Sequence, residues 1–163
     1  VKWGGARRVV VFCKGRSAHE KGLRLEFIRV LFGSEMAEQE KQHLASFDKL
    51  VVERHVRPTL LTPLWHGAGF ALGAASALLG EKAAMACTVA VEEVISDHYA
   101  DQAERLGEDE ADLKSTIEEF RSDEISHRDI GLEHAAKEMP GYVPFTAAVK
   151  AGTRLANWLP ERR

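Results

Sequence analysis

The chain has 163 residues, 45% hydrophobic and 29% charged, which suits one globular domain with a real core and excludes a disordered chain. A formal net charge of -3 argues against a general nucleic-acid binder. Cys13 and Cys87 are too few and too far apart for a disulfide framework or a cysteine metal site, so a reducing compartment is the natural reading.

Residues 1 to 22 show no clear periodicity and form an atypical N-terminal segment, with a helical domain expected over 23 to 163. Val1 to Lys14 is basic, with a short apolar run from Val9 to Cys13. It lacks the long apolar stretch and small-residue cleavage site of a secretory signal. A helix is predicted from about Leu23 to His55, ended by Arg57-Pro58-Thr59. Its inward seam is Phe32, Met36, Glu40, His43, Phe47 and Leu50, stepping by 4, 4, 3, 4 and 3.

Leu60 to Gly80 is nearly long enough to span a bilayer, but Pro63 and several glycines and small residues interrupt it. It reads as a loop followed by a helix that is buried or lies at a membrane interface. A third helix is predicted from about Lys82 to Leu106, stopped by Gly107. Met85, Thr88, Glu92, Ile95, Tyr99, Gln102 and Leu106 form its seam. A fourth runs from about Glu110 to Glu138, before Pro140-Gly141. Its seam is Leu113, Ile117, Phe120, Glu124, His127, Gly131 and His134. A last amphipathic helix, about Pro144 to Leu159, sets Phe145, Val149, Leu155, Trp158 and Leu159 beside Lys150, Arg154, Arg162 and Arg163. Aromatic residues next to cations suit a membrane interface.

The chemistry lies in the seams. Glu40-Lys41-Gln42-His43 and Glu124-Ile125-Ser126-His127 each place a carboxylate and an imidazole where apolar residues belong. Such groups are costly to bury unless something compensates them. Residues three apart lie about 60° apart around a helix, so each pair can grip one ion. Glu92 is a third carboxylate on an inward face. Paired Glu-x-x-His helices are the pattern of di-iron and di-manganese carboxylate bundles. Carboxylates with one imidazole per metal suit iron or manganese better than copper or thiolate-bound zinc. Glu40 and Glu124 are placed to bridge two ions, with Glu92 as a terminal ligand. The competing reading, a buried ion-pair network, has three carboxylates against two imidazoles. Tyr99 reads as a core aromatic and His98 as a boundary residue; alternatively, either hydrogen-bonds a ligand. The chain has no Gly-x-Gly-x-x-Gly fingerprint, so no dinucleotide-binding domain of its own is expected.

From Glu35 to Arg163 the chain resembles the demethoxyubiquinone hydroxylase family. The resemblance rests on Glu35 to Leu44, Arg57-Pro58-Thr59, Leu78-Leu79-Gly80, Ala84 to Glu93, His98-Tyr99, Phe120 to Glu124 with His127, and Asp129 to Leu132. It implies an all-α, ferritin-like bundle with a carboxylate-bridged di-iron site and additional membrane-interface helices. It further implies a monooxygenase of ubiquinone biosynthesis that hydroxylates a polyprenylated demethoxy-benzoquinol. The cofactors would be two iron ions, with O2 as co-substrate and electrons from an external reductant, ultimately NADH. Glu40, His43, Glu92, Glu124 and His127 match family metal ligands, and His98 and Tyr99 match positions kept near the metals.

The implied partners are the quinone, a membrane surface and other ubiquinone-biosynthesis proteins. The implied location is peripheral, on the cytoplasmic side of a bacterial inner membrane. The matrix side of the mitochondrial inner membrane is the alternative.

The family's sixth ligand is a glutamate in an Asp-His-Ala-Gly-Glu motif that this chain lacks. Gly5-Ala6-Arg7-Arg8 resembles the residues just after that motif in the family, which puts Trp3 where the glutamate belongs. Glu20 and Glu26 are the acids available to replace it, each in a different local context. Either the start is altered, as by a shifted reading frame, or the chain is a divergent member with a damaged site. The metal site nearest Glu40 and His43 is then expected to lack one carboxylate, to bind its iron less well than the other site, and to turn over poorly. The alternative function is an impaired, quinone-binding scaffold of the same pathway. A ferritin-like iron store is the weaker third reading, because a soluble cage would not carry the apolar segment and the interfacial helix.

Overall fold

The computed structural model describes residues 34–55 and 62–161. Among the described residues there are five α-helices, two short 3-10 turns and no strand. The helices are α1 Ser34–Glu53, α2 Thr62–Leu78, α3 Glu81–Arg105, α4 Ala111–Glu133 and α5 Tyr142–Glu161. The atypical segment 1 to 22, the predicted first half of the first helix, Glu26, Phe32 and Arg57-Pro58-Thr59 lie outside the described residues. The chain divides into two compact units, residues 1–74 with 159–163, and residues 75–158.

In the first unit, α1 buries Met36, His43, Phe47 and Val51. The 3.6-residue period thus holds through the first Glu-x-x-His pair, with Glu40 and Leu50 half-buried. The helix ends at Glu53, where His55 adopts a left-handed backbone with φ of 52°. The His55 amide closes the last turn on the Val52 carbonyl at 3.2 Å.

α2 is the helix expected within Leu60 to Gly80, and it begins already at Thr62. Pro63 does not break the helix; it sits in the first turn, where a missing N–H costs nothing. Of the two readings of this helix, exposure speaks against the buried one. Leu64 and Phe70 are 60% and 53% exposed. No described helix is long and apolar enough to cross a membrane.

The second unit is built on α3 and α4, which pack along each other as a hairpin joined by the 3-10 turn Glu108–Glu110. Gly80, with φ of 104°, turns the chain into α3. Glu81 in the first turn and Arg105 in the last complement the helix dipole. Ala83 to Cys87, Val89 and Ala90 are all buried, so this half of α3 is covered on every side rather than along one seam. Small side chains allow that close approach. At Gly131 on α4 an added Cβ would lie 2.8 Å from Val89 Cγ2 and 3.3 Å from the Met85 carbonyl oxygen. The helices therefore touch almost backbone to backbone at this point, which fixes their register.

The predicted fourth helix extends to Glu138, but α4 stops at Glu133. Ala135 turns left-handed at φ of 60°, and Ala136 is fully buried in a second 3-10 turn, Ala136–Glu138, that packs on α3. Docking that turn outweighs the helix-forming tendency of the segment. The Lys82 ammonium reaches the Glu138 carboxylate at 2.6 Å and ties the turn to the start of α3. His134 therefore leaves the seam: it is exposed, with Nδ1 2.8 Å from the Ile130 carbonyl oxygen.

Candidate metal centre

The seam of α4 is nearly free of solvent. Leu113, Ile117 and Phe120 lead into Glu124 and His127, and all five are buried. Glu124 and His127 are 3% and 1% exposed, with His127 Nδ1 3.5 Å from Glu124 Oε2. That separation is longer than a good hydrogen bond. Opposite them, α3 presents the half-buried Glu92. Carboxylate oxygens of Glu92 and Glu124 and a ring nitrogen of His127 lie within 4.8 Å of one another. The Gly131 contact with Met85 and Val89 sets this meeting: it locks the antiparallel helices one to two turns away from the acids.

The donor set fits a hard or borderline divalent cation. Two carboxylates drawn together out of water repel, and each loses hydration. An ion held by both, with an imidazole completing the set, offsets both costs, and oxygen-rich donors with one imidazole suit iron or manganese. Glu40 and His43 lie in the first unit, half-buried and buried on α1.

Further along α3, Tyr99 is 5% exposed, as its seam position required, and His98 is half-buried. The His98 Nε2 atom lies 2.7 Å from the amide nitrogen of Gln102, itself buried. Gln102 was legible as a seam residue but not as the partner of His98; the i, i+4 spacing is the signal that could have found it.

Sequence reasoning also missed a neighbour of the acids. The Lys150 ammonium on α5 closes on the carboxylate of Glu93, the residue after Glu92. Tyr142, at the start of α5, lies near both charges. Burial and the Glu93 charge push its phenol above the usual tyrosine range, and Lys150 opposes them. On the buried side of α3, burial likewise raises the Cys87 thiol, against a hydrogen bond with Ser76.

Residues 26–160 match the family model described as Ubiquinone biosynthesis protein COQ7. A Rhodospirillum rubrum protein named 3-demethoxyubiquinol 3-hydroxylase is 60% identical over 127 residues, covering 78% of this chain and 60% of the relative. Proteins named NADPH-dependent 3-demethoxyubiquinone 3-hydroxylase, mitochondrial, are 56% identical in Dictyostelium discoideum and 49% identical in Homo sapiens. Each matches over 131 residues, again 78% of this chain and 60% of the relative. The chain thus spans about three fifths of the length of the curated relatives it matches. With a match across most of its length, the chain belongs to the family of Ubiquinone biosynthesis protein COQ7.

Proposed function

We propose that this chain carries the metal centre of a di-iron monooxygenase that hydroxylates a polyprenylated demethoxyubiquinol in ubiquinone biosynthesis. The observation that carries the reading is the buried Glu124 and His127 meeting Glu92 across the α3–α4 hairpin. The names of the relatives supply the reaction class and the substrate class.

Glu92, Glu124 and His127 would hold metal in the second unit, and Glu40 and His43, on α1 of the first, are proposed as metal ligands in their own right. The second assignment rests on the repeated Glu-x-x-His pattern and on the burial of His43. Bound iron would supply the redox capacity to use dioxygen, with electrons from a reduced nicotinamide dinucleotide. Relatives named as NADPH-dependent favour the phosphorylated form over the NADH that the family resemblance implies. The chain's own residues have three tasks. The carboxylates fix the positions of the ions and balance their charge. The apolar seam of Leu113, Ile117 and Phe120 keeps bulk water away from Glu124 and His127. Tyr99, buried on the seam of α3, and His98, in contact with Gln102, are the candidates for hydrogen-bonding near the ligands.

A quinol with an isoprenoid tail resides in a bilayer, so the protein must meet a membrane surface. Exposed Leu64 and Phe70 on α2, and Val143, Leu155 and Trp158 on α5, support a peripheral, interfacial role. An inner membrane is the proposed site; the mitochondrial names of the eukaryotic relatives fit the matrix side, and the bacterial relative the cytoplasmic side.

The test is complementation. Cells lacking the hydroxylase and accumulating the demethoxy precursor should regain ubiquinone when given this chain, and lose it again with Glu124→Ala. Accumulation of the precursor despite folded, membrane-bound protein would reject the activity for this chain.

A further inference from the structure

The Lys150–Glu93 pair has a place in the fold that a stray surface pair lacks. It joins α5 to α3 with side chains only 28% and 33% exposed, and its acid is the immediate neighbour of Glu92. Successive residues on a helix point about 100° apart. Glu93 is therefore directed away from the acid cluster while sharing a peptide unit with the residue that enters it.

The pair gives α5 a charged bond to another helix. Its inward side carries Thr146, Val149 and Asn157, all buried, and two of its hydroxyls are turned back on its own carbonyls. Thr146 donates to the Tyr142 carbonyl at 2.8 Å and Thr153 to that of Val149 at 3.0 Å. Val143, Leu155 and Trp158 are exposed, and Phe145 is half-buried. Two of the buried residues, Thr146 and Asn157, are polar and gain less from burial than apolar side chains would, so a directional charged bond adds to what places the helix. Tyr142 stands beside the same two charges, nearer the start of α5.

We propose that Lys150 is a positioning residue for the metal centre: by holding Glu93 it sets the rotation of the α3 turn that presents Glu92. This inference rests on the metal-centre reading above. It differs from an ordinary half-exposed ion pair, which contributes little to stability and nothing to a neighbouring site.

The experiment titrates metal-free full-length chain with cobalt(II), read by its visible absorption, alongside thermal melting of the metal-free protein. Lys150→Met should weaken cobalt binding about threefold to tenfold, short of the ~10–100-fold loss seen when a group bonded directly to a ligand is removed. It should also alter the absorption band, because the geometry around Glu92 changes. Lys150→Arg, which keeps the charge and the bond, should restore both. Glu93→Gln should weaken binding as Lys150→Met does. The double variant should be no weaker than either single one, as expected for two residues acting through one contact.

Wild-type affinity and spectrum in Lys150→Met would overturn the inference, whatever its melting temperature. If Lys150→Met does not fold, Glu93→Gln decides the matter by the same two readouts. A wild-type chain that binds no cobalt would instead sink the metal-centre reading itself, and this inference with it.

Discussion

His127 Nδ1 stands 3.5 Å from Glu124 Oε2, one helical turn away, with side chains 1% and 3% exposed. The two groups are close enough to act on one object and too far apart to satisfy each other well. Two physical readings of such a pair make opposite demands on stability. If it is an internal ion pair, removing one partner strands the other and costs about 3–5 kcal/mol. If it is a metal site, the carboxylates of Glu92 and Glu124 crowd each other in the metal-free protein, and removing one of them relieves that repulsion.

Glu124→Leu separates the two. We expect the metal-free variant to be as stable as the metal-free parent or more stable by about 1–2 kcal/mol, and to have lost metal-dependent stabilisation. Calorimetry of both proteins with and without iron(II) measures this. A large loss of stability in the metal-free variant would favour the ion-pair reading.

Gly131 should tolerate no side chain. An added Cβ would meet Val89 Cγ2 at 2.8 Å and the Met85 carbonyl oxygen at 3.3 Å, and the second of these is backbone. Gly131→Ala should destabilise by about 1–3 kcal/mol in urea unfolding, despite alanine's better helix propensity. Because this contact sets the register of α3 against α4, metal affinity should fall as well. Adding Val89→Ala should recover part of the loss and not all of it, since the Met85 carbonyl remains.

The seams that carry Glu124, His127 and Tyr99 were legible because each helix keeps its 3.6-residue period across them. A polar residue on an apolar stripe is visible without a structure. Other features depended on contacts between distant parts of the chain. The end of α4 is set by Ala136 docking on α3, and nothing local in Ala135-Ala136-Lys137-Glu138 announces it. Pro63 looked like a break because its effect depends on position: in a first turn it is harmless. Lys150 was grouped with the cations of an interfacial helix, and Glu93 was singled out for no role. Their pairing is a long-range choice that periodicity does not encode.

Cys87 should be a slow nucleophile. Burial is the larger influence on its thiol and raises it; a hydrogen bond with Ser76 opposes. The folded protein therefore holds this proton to higher pH than the unfolded chain. Stability from this group is fully present below the unfolded thiol's ordinary range, and it declines as pH rises from that range through the folded value. Iodoacetamide labelling at mildly alkaline pH, mapped by peptide, should modify Cys87 far more slowly in folded than in denatured protein. Equal rates would contradict the burial.

The outward apolar residues should matter to membrane binding and not to folding. Leu155→Glu with Trp158→Glu places charges at positions 51% and 44% exposed in the parent. Sedimentation with anionic phospholipid vesicles should show binding by the parent and at least a tenfold loss in the double variant, while melting temperatures stay close. Undiminished vesicle binding would remove α5 from the interfacial face.

The most direct test of the metal centre is to count iron. The full-length chain, loaded anaerobically with iron(II), freed of excess metal and analysed by elemental mass spectrometry, should retain at least one tightly held iron per chain. Glu124→Ala and His127→Ala should each abolish that retention. A chain that keeps no iron, or variants that keep as much as the parent, would contradict the assignment of Glu92, Glu124 and His127 as metal ligands.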